Sequence, residues 1–450
     1  MAGRDRAPAR DRAPARDRAP ARDREQGRRE QGRREQGRAE EAGDDEPAAH
    51  VPPGRPREGT LDGLLATKEI VIACGPGGVG KTTMAAAAAA MAAVHHGGRV
   101  LVLTIDPARR LADALGLSSG GPGQGDGHES RGLGNVERRI PDAAFGDVVA
   151  RGELWAAMLD TKESWDALVR RHAPDARTRE KILANPLYRN LSGRFVQSHD
   201  YIAMERLYDL HSQGNYDLIV VDTAPTRNAI DFLDAPARMA DFFSSRLLRW
   251  LTVSYRSRMM SLASRPFSQI ADRILGTQFL ADITEFFLLF QSMYEGFVER
   301  AEAVTRLLSD RRTTFLVVST LEPTPVREAD YFARALAQRK LSLGAIVLNK
   351  VLPVYFRDRE AAKLAERLLA NAPDLAGALA GSIGTDPALT ERVLGEVAES
   401  FLNFGVVARR EEEQQAELAT RPEVLATVPF LDRDVVDMQG LLRLGAAMWH

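Results

Sequence analysis

The stretch GPGGVGKTT, residues Gly75–Thr83, decides the fold of this chain. It fits the nucleotide-binding pattern G-x-x-x-x-G-K-[ST], follows the strand-like run Glu69–Cys74 and leads directly into an alanine-rich helical stretch. Glycines in such a loop let backbone N–H groups approach phosphate oxygens, and the helix start adds the positive end of its dipole. The pattern predicts a phosphate-binding loop, and the flanking strand and helix disfavour the alternative of a chance glycine-rich turn.

Individual roles follow from how such loops bind nucleotides. The Lys81 ammonium is predicted to reach the β- and γ-phosphates, and the Thr82 hydroxyl is predicted to ligate Mg²⁺. The residues expected to contact the nucleotide here are Gly75, Gly77, Gly78, Val79, Gly80, Lys81, Thr82 and Thr83.

Short β-branched runs recur along the chain and alternate with helix-length amphipathic stretches. This alternation predicts an α/β fold, with a doubly wound, mostly parallel sheet covered by helices on both faces. The further strand candidates are Arg99–Ile105, Asp217–Asp222, Thr314–Ser319, Gly344–Asn349 and Val424–Val428.

Two aspartates stand where predicted strands end. Asp106 follows Ile105, and Asp222 follows the apolar run Leu218–Val221. The carboxyl ends of parallel strands gather at the ligand crevice, so both carboxylates are expected beside Lys81. One suits Mg²⁺ or its water shell and the other suits orientation of the attacking water, although a single strand-end Asp is more often a helix cap.

Composition divides the chain into a tail and a body. Residues 1–59 combine Arg-rich repeats with an acidic, proline-rich linker, and they hold too few apolar side chains to offset the entropy of ordering, so we expect disorder. An Arg-rich arm for RNA or acidic lipid is the alternative. Residues 60–450 form the predicted nucleotide-binding domain, with a flexible Gly-rich loop at 118–134 and a helical insertion at about 236–311.

Charge and cysteine content exclude several classes of protein. Residues 60–450 carry 45 basic and 49 acidic side chains, which does not suit a nucleic-acid-binding domain. Cys74 is the single cysteine, so intrachain disulfides and thiolate clusters are excluded.

The N-terminus lacks the apolar core of a signal peptide, and no run reaches the roughly 20 apolar residues of a membrane helix. We expect a cytoplasmic protein, peripheral to a membrane only through a partner.

Together, GGVGKTT, the segment DPARRLAD at Asp106–Asp113 and DTAPT at Asp222–Thr226 resemble the arsenite-pump ATPase (ArsA) family. That family also includes the eukaryotic ATPase that targets tail-anchored membrane proteins. The resemblance begins near Lys68, covers the whole body, and is nearest to stand-alone members of actinobacterial type. It implies a P-loop NTPase that binds ATP and Mg²⁺, hydrolyses the ATP, and opens and closes as a dimer.

The resemblance also implies roles for single residues. Asp106 matches the first-switch aspartate that activates water, and Asp222 matches the second-switch aspartate near Mg²⁺. The strand ending at Asn349 matches the segment whose asparagine reads adenine. Pro429 and Phe430 match the loop on the other side of that ring.

Pro76 departs from the family pattern, which usually has a lysine there that reaches the phosphates of the partner subunit. Proline cannot supply that charge. A slow enzyme, substitution by Arg109 or Arg110, and a heterodimer with a paralogous ATPase that keeps the lysine stay open beside a homodimer. Cys74 alone cannot build the thiolate site that arsenite requires, and the zinc-binding CxxC pair of the targeting ATPase is absent from the sequence.

An apolar stripe in the predicted insertion bears on what the ATPase acts upon. Its members recur every three or four residues and are Phe279, Ile283, Phe286, Phe290, Met293 and Phe297. By resemblance, this region forms a groove for a hydrophobic client helix; the alternative is ordinary core packing.

Three functions therefore stay open. The first is an ATPase coupled to a cargo or membrane partner, of anion-transport or targeting type. The second is a slow-hydrolysing chaperone or targeting factor. The third, a positioning ATPase, is disfavoured because Val435–Trp449 holds Arg443 as its one basic residue.

Overall fold

The computed structural model describes residues 59–105, 111, 114–115, 135–191, 198–223, 233–235, 237–238, 241, 285–290, 292–419 and 422–449. Residues 1–58 of the predicted tail and linker, the Gly-rich loop at 118–134, most of the predicted insertion, and Asp106, Arg109, Arg110, Phe279 and Ile283 lie outside these residues.

Eight strands form a single sheet, in the order β3-β4-β2-β5-β1-β6-β7-β8. The strands are β1 (Ile70–Cys74), β2 (Arg99–Thr104), β3 (Arg138–Arg139), β4 (Glu153–Met158), β5 (Leu218–Asp222), β6 (Thr313–Thr320), β7 (Leu343–Val351) and β8 (Val424–Pro429). All neighbours pair in parallel except β3, which runs antiparallel to β4. The predicted doubly wound α/β fold is confirmed, and β1, which leads into the phosphate loop, lies near the centre of the sheet.

Two strands were not predicted from the sequence. The β4 segment ELWAAM contains Glu, Ala and Met, which occur more often in helices, so its composition concealed a strand. Pairing with β2, in which Val102 lies opposite Ala156, overrides that preference. The short antiparallel β3 has exposed Arg138 and Arg139 and gives no apolar pattern.

Helices cover both faces of the sheet. They are α1 (Leu61–Leu65), α2 (Lys81–His95), α3 (Thr161–His172), α4 (Ala176–Ala184), α5 (Pro186–Leu191), α6 (Ser198–Ser212), α7 (Tyr294–Leu308), α8 (Pro323–Gln338), α9 (Arg359–Ala370), α10 (Ala372–Ile383), α11 (Pro387–Leu418) and α12 (Met438–Trp449), with 3-10 turns at Asp142–Phe145 and Val354–Arg357. Alternate residues of β1 enter two separate cores: Ile70 and Ile72 join the α3, α6 and α7 side, whereas Val71 and Ala73 join the α2 and α12 side.

Helix α2 carries the phosphate loop and is almost wholly enclosed. Its run Ala85–Ala90 has no exposed surface, because small side chains let the helix approach both the sheet and α12 closely. At the α12 contact, a Cβ added to Gly445 would lie 2.3 Å from the Cγ of Met91. The start of α2, and with it the loop, is therefore held by the core and not by surface contacts.

A helical hairpin lies between β7 and β8, where the sequence had not singled out an insertion. Its first rod is α9 followed by α10, and its second rod is α11. The rods run antiparallel, since Phe356 contacts Phe401 with ring centroids 5.3 Å apart, whereas Leu369 packs against Gly395 nearer the start of α11. No helix in the described part of the chain is both long enough and apolar enough to span a bilayer.

Candidate functional site

Glycines shape the loop between β1 and α2. Gly75 has a φ of 142°, and a Cβ there would lie 2.1 Å from the Val318 carbonyl oxygen of β6. Gly78 and Gly80 have φ values of 79° and 96°, in the left-handed region that other residues rarely adopt. The loop therefore needs glycine at these positions, which leaves its backbone free of side chains where a phosphate would approach.

Lys81 begins α2 and turns back over the loop. Its side chain is 6% exposed, and its Nζ donates a hydrogen bond of 2.8 Å to the Pro76 carbonyl. The ammonium thus lies against the backbone of the loop; its predicted contact with phosphates stays a prediction. Pro76 supplies a carbonyl acceptor here and, lacking an N–H, cannot donate to an anion.

Cys74 ends β1 directly before the loop and is buried. Burial raises the pKa of its thiol well above the ordinary range, although the nearby Lys81 charge acts in the opposite direction. Burial therefore favours the neutral thiol, and Cys74 serves as a small core residue.

Asp222 ends β5, the strand next to β1, and is fully buried. It lies opposite Ala73 of β1 and opposite Thr104 of β2, so its carboxylate stands beside the strand that leads into the loop. Thr104 Oγ1 donates a hydrogen bond of 2.9 Å to Asp222 Oδ2, which fixes the carboxylate. The hydroxyl of Thr223 donates 2.9 Å to the Ala73 carbonyl and ties the following residue to β1.

Thr104 and Thr223 were not predicted as site residues. The available signal was a polar residue at the end of an otherwise apolar strand, which resembles an ordinary strand terminus until the register of neighbouring strands is known.

The donors near the loop fit Mg²⁺ chemically. Thr82 offers a hydroxyl in the first turn of α2, and Asp222 offers a carboxylate held by a hydrogen bond. Hard oxygen donors of this kind are what Mg²⁺ prefers, together with water and phosphate oxygens. These two residues would hold the ion.

On the other side of the loop, β7 and β8 bring together the three residues expected around adenine. Asn349 lies near the end of β7, and Val351 pairs with Pro429 of β8. The Phe430 N–H donates 2.9 Å to the Val351 carbonyl, and its ring is 60% exposed. The Asn349 side chain points to the loop, because its Nδ2 donates 2.8 Å to the Val79 carbonyl.

Comparison with known families gives a match. The sequence profile of the family described as anion-transporting ATPase matches residues 68–129 and 151–370, which together make up more than half of the chain. The chain belongs to the anion-transporting ATPase family. Members of this family are ATPases, so this protein is an ATP-hydrolysing enzyme. No curated protein matches the chain.

The match locates which parts of this anion-transporting ATPase are family features. The loop, Asp222 and Asn349 fall inside the matched residues, as does α9. Pro429, Phe430, α10 and α11 fall outside them. The whole second rod of the hairpin, and α10 of the first, therefore lie outside the residues that the family profile matches.

The apolar stripe that suggested a client groove is core wherever the structure describes it. Phe290 and Phe297 are 3% and 2% exposed, and both rings contact Trp165 of α3, at 6.5 and 6.3 Å. Phe286 and Met293 are also buried. For these four residues the structure shows ordinary core packing, the alternative given above; Phe279 and Ile283 lie outside the described residues.

Proposed function

We propose that this ATPase requires Mg²⁺ and couples its nucleotide cycle to opening and closing of a dimer that acts on a cargo or membrane partner. The observation that carries the proposal is the position of Asp222. Its buried carboxylate, fixed by Thr104, stands one strand away from the loop that carries Lys81 and Thr82. The loop, the Lys81 ammonium and the Asp222 carboxylate lie at one edge of the sheet, which is the arrangement that phosphoryl transfer needs.

The residues divide the work of hydrolysis. The Lys81 ammonium exchanges the Pro76 carbonyl for phosphate oxygens, and the loop N–H groups bind the remaining oxygens. Thr82 and Asp222 would hold Mg²⁺, which would supply positive charge that neutralises the phosphates. Asp106 orients and activates the attacking water in this proposal, by resemblance to the family.

Pro76 determines which group can supply the positive charge that the family lysine usually provides. Because this chain supplies no lysine at that position, an active assembly takes the missing charge from Arg109 or Arg110, or from a paralogous ATPase in a heterodimer. A homodimer without such a group would turn over slowly. The cargo is of anion-transport or targeting type, in line with the description of the matching family.

A slow-hydrolysing chaperone that binds hydrophobic client helices is the second candidate. The stripe residues assigned to that role are buried among aromatic rings in the described structure, which leaves the ATPase reading favoured. A positioning ATPase is third, because α12 carries Arg443 as its one basic residue.

Three substitutions test the assignment of roles. Lys81→Ala is expected to lower the rate of ATP hydrolysis by about 10²-fold or more, since it removes charge stabilisation of the transferring group. Asp106→Asn is expected to bind ATP normally and lose turnover, and Asp222→Asn is expected to raise the Mg²⁺ concentration needed for half-maximal activity.

Phosphate release and nucleotide binding, measured over a Mg²⁺ titration, distinguish the variants. Lys162→Ala serves as the control, because Lys162 is an exposed lysine that pairs with Asp166 at 2.9 Å on the surface of α3. Normal hydrolysis by the Asp106 variant would remove the proposed water-activating role.

A further inference from the structure

Helix α11 has an apolar face that the described part of the chain leaves largely exposed. Val393, Val397, Phe404 and Val407 are 44 to 56% exposed, and the exposed Ser400 completes the series. We call these five residues the α11 seam. Successive members are separated by four, three, four and three residues, which is the 3.5-residue repeat that lets one helix pack along another.

The seam is distinct from the face that α11 turns to its own hairpin. Ala398, Gly405 and Ala408 are buried on that inner face. A Cβ added to Gly405 would lie 3.0 Å from the Phe356 carbonyl oxygen, so the first rod already occupies this side. The helix therefore has two apolar stripes: the described part of the chain covers the inner one and meets the outer one at Phe404, whose ring centroid lies 5.2 Å from that of Phe356.

Polar residues beside the seam indicate which helix can cover it. Glu396, Asn403 and Arg410 recur every seven residues on one flank of the seam, and all three are exposed. Two copies of this helix packed antiparallel would bring Glu396 of each copy next to Arg410 of the other, with Asn403 meeting its counterpart near the two-fold axis. The flank is thus complementary to itself only when the helices run in opposite directions.

We propose that α11 pairs antiparallel with α11 of a second copy of this chain through the seam. The charge of the helix disfavours the other occupants: residues 387–418 hold seven acidic and three basic side chains, which anionic lipid and nucleic acid repel. This contact lies outside the nucleotide site and forms without nucleotide. The proposed contact is therefore separate from the nucleotide-dependent opening and closing of the dimer, and it holds the two copies together at every stage of that cycle.

The test is the molar mass of the full chain in nucleotide-free buffer, measured by sedimentation equilibrium at micromolar concentration. The wild type is expected to be a dimer, and Val397→Glu with Phe404→Glu is expected to be a monomer. Val406→Glu is the matched control, because Val406 is 50% exposed on the same helix but off the seam, and this variant is expected to stay dimeric. Circular dichroism melting checks that each variant is folded.

A charge exchange tests the antiparallel register. Glu396→Arg and Arg410→Glu are each expected to weaken dimerisation at least about tenfold, and the double variant is expected to restore it. In the present structure Glu396 faces Arg392 of its own helix at a loose 3.7 Å, so the single changes remove no firm internal contact.

Three results would overturn the proposal. One is a monomeric wild type. In that case the seam has another occupant, such as neutral vesicles or residues 242–284 of its own chain. The second is a folded seam variant that stays dimeric, and the third is a double variant that fails to regain association. If Lys81→Ala loses ATP hydrolysis while the dimer stays intact, the α11 contact does not depend on the proposed enzyme function.

Discussion

At the scale of single residues, Asn349 links β7 to the phosphate loop. Its Nδ2 donates 2.8 Å to the Val79 carbonyl, and its Oδ1 accepts 2.8 Å from the Lys350 N–H. Lys350 has a φ of 60°, at an irregular step in the pairing of β7 with β8, and this turn aims Asn349 at the loop. The side chain expected to read adenine is therefore also in place to brace the backbone that binds phosphates.

This arrangement predicts that Asn349→Ala weakens binding of ATP and of inorganic tripolyphosphate, which has no base, by similar factors. Isothermal titration with each ligand in the presence of Mg²⁺ measures both. Asn371→Ala is the control, because Asn371 donates a comparable 2.7 Å bond to the Arg367 carbonyl on the exposed hairpin. If only ATP binding weakens, Asn349 acts on the base alone and the bracing role is wrong.

At the scale of elements, the two ends of α2 have different tasks. Its start carries Lys81, whereas its end is fixed by His96, whose Nε2 lies 3.1 Å from Asp62 Oδ1 and whose ring contacts Trp449 at 5.6 Å. Burial lowers the pKa of His96 below 6.5, with Arg151 adding to this effect and Asp62 partly opposing it. The helix end thus favours a neutral imidazole.

A stability change with pH follows from that direction. Because the folded pKa of His96 is below 6.5, the unfolded chain binds the proton more readily, and stability is lost as pH falls from 6.5 through the folded value. His96→Gln is expected to reduce the slope of unfolding free energy against pH in this window. Burial also lowers the pKa of His172, so part of the slope remains. Urea unfolding at a series of pH values measures the slope; an unchanged slope contradicts the assignment.

At the scale of the whole molecule, an aromatic cluster joins helices from distant parts of the sequence. Phe290 contacts Trp165 and Tyr188, at 6.5 and 6.1 Å, and Phe297 contacts Tyr201 at 6.1 Å. These residues belong to the core on one face of the sheet. The cluster connects the segment before β6 to α3, α5 and α6, so its loss is expected to weaken the whole domain.

Phe290→Ala is expected to lower the free energy of unfolding by about 3–5 kcal/mol, since it opens a cavity in a buried aromatic cluster. Chemical denaturation monitored by circular dichroism measures the change. Tyr331→Ala, at a 63% exposed position on α8, is expected to alter stability by no more than about 0.5 kcal/mol. A Phe290 variant that keeps its stability but loses client binding would instead support the groove.

The features that could be predicted from the sequence alone are those that have a local sequence pattern. The loop at Gly75–Thr83 and the apolar run before Asp222 have short-range signals, and the strand before each lies where the sequence predicted it. The pairing of Thr104 with Asp222, the strand at Glu153–Met158 and the packing of Phe290 depend on which distant segments meet, and periodicity does not carry that information. An apolar stripe has the same sequence pattern whether its own domain covers it or leaves it exposed. Here Phe290 is buried, whereas the α11 seam is exposed in the described part of the chain.

The burial of Cys74 has a practical consequence. Since it is the one cysteine in the chain and its thiol is both enclosed and poorly ionised, maleimide dyes have almost no native position to react with. A cysteine introduced on the surface becomes the single labelling position without prior removal of native thiols. Fluorophores placed in turn on α8 and at the tip of the hairpin would then report distances between the two copies of the proposed dimer during ATP turnover, in an otherwise unaltered protein.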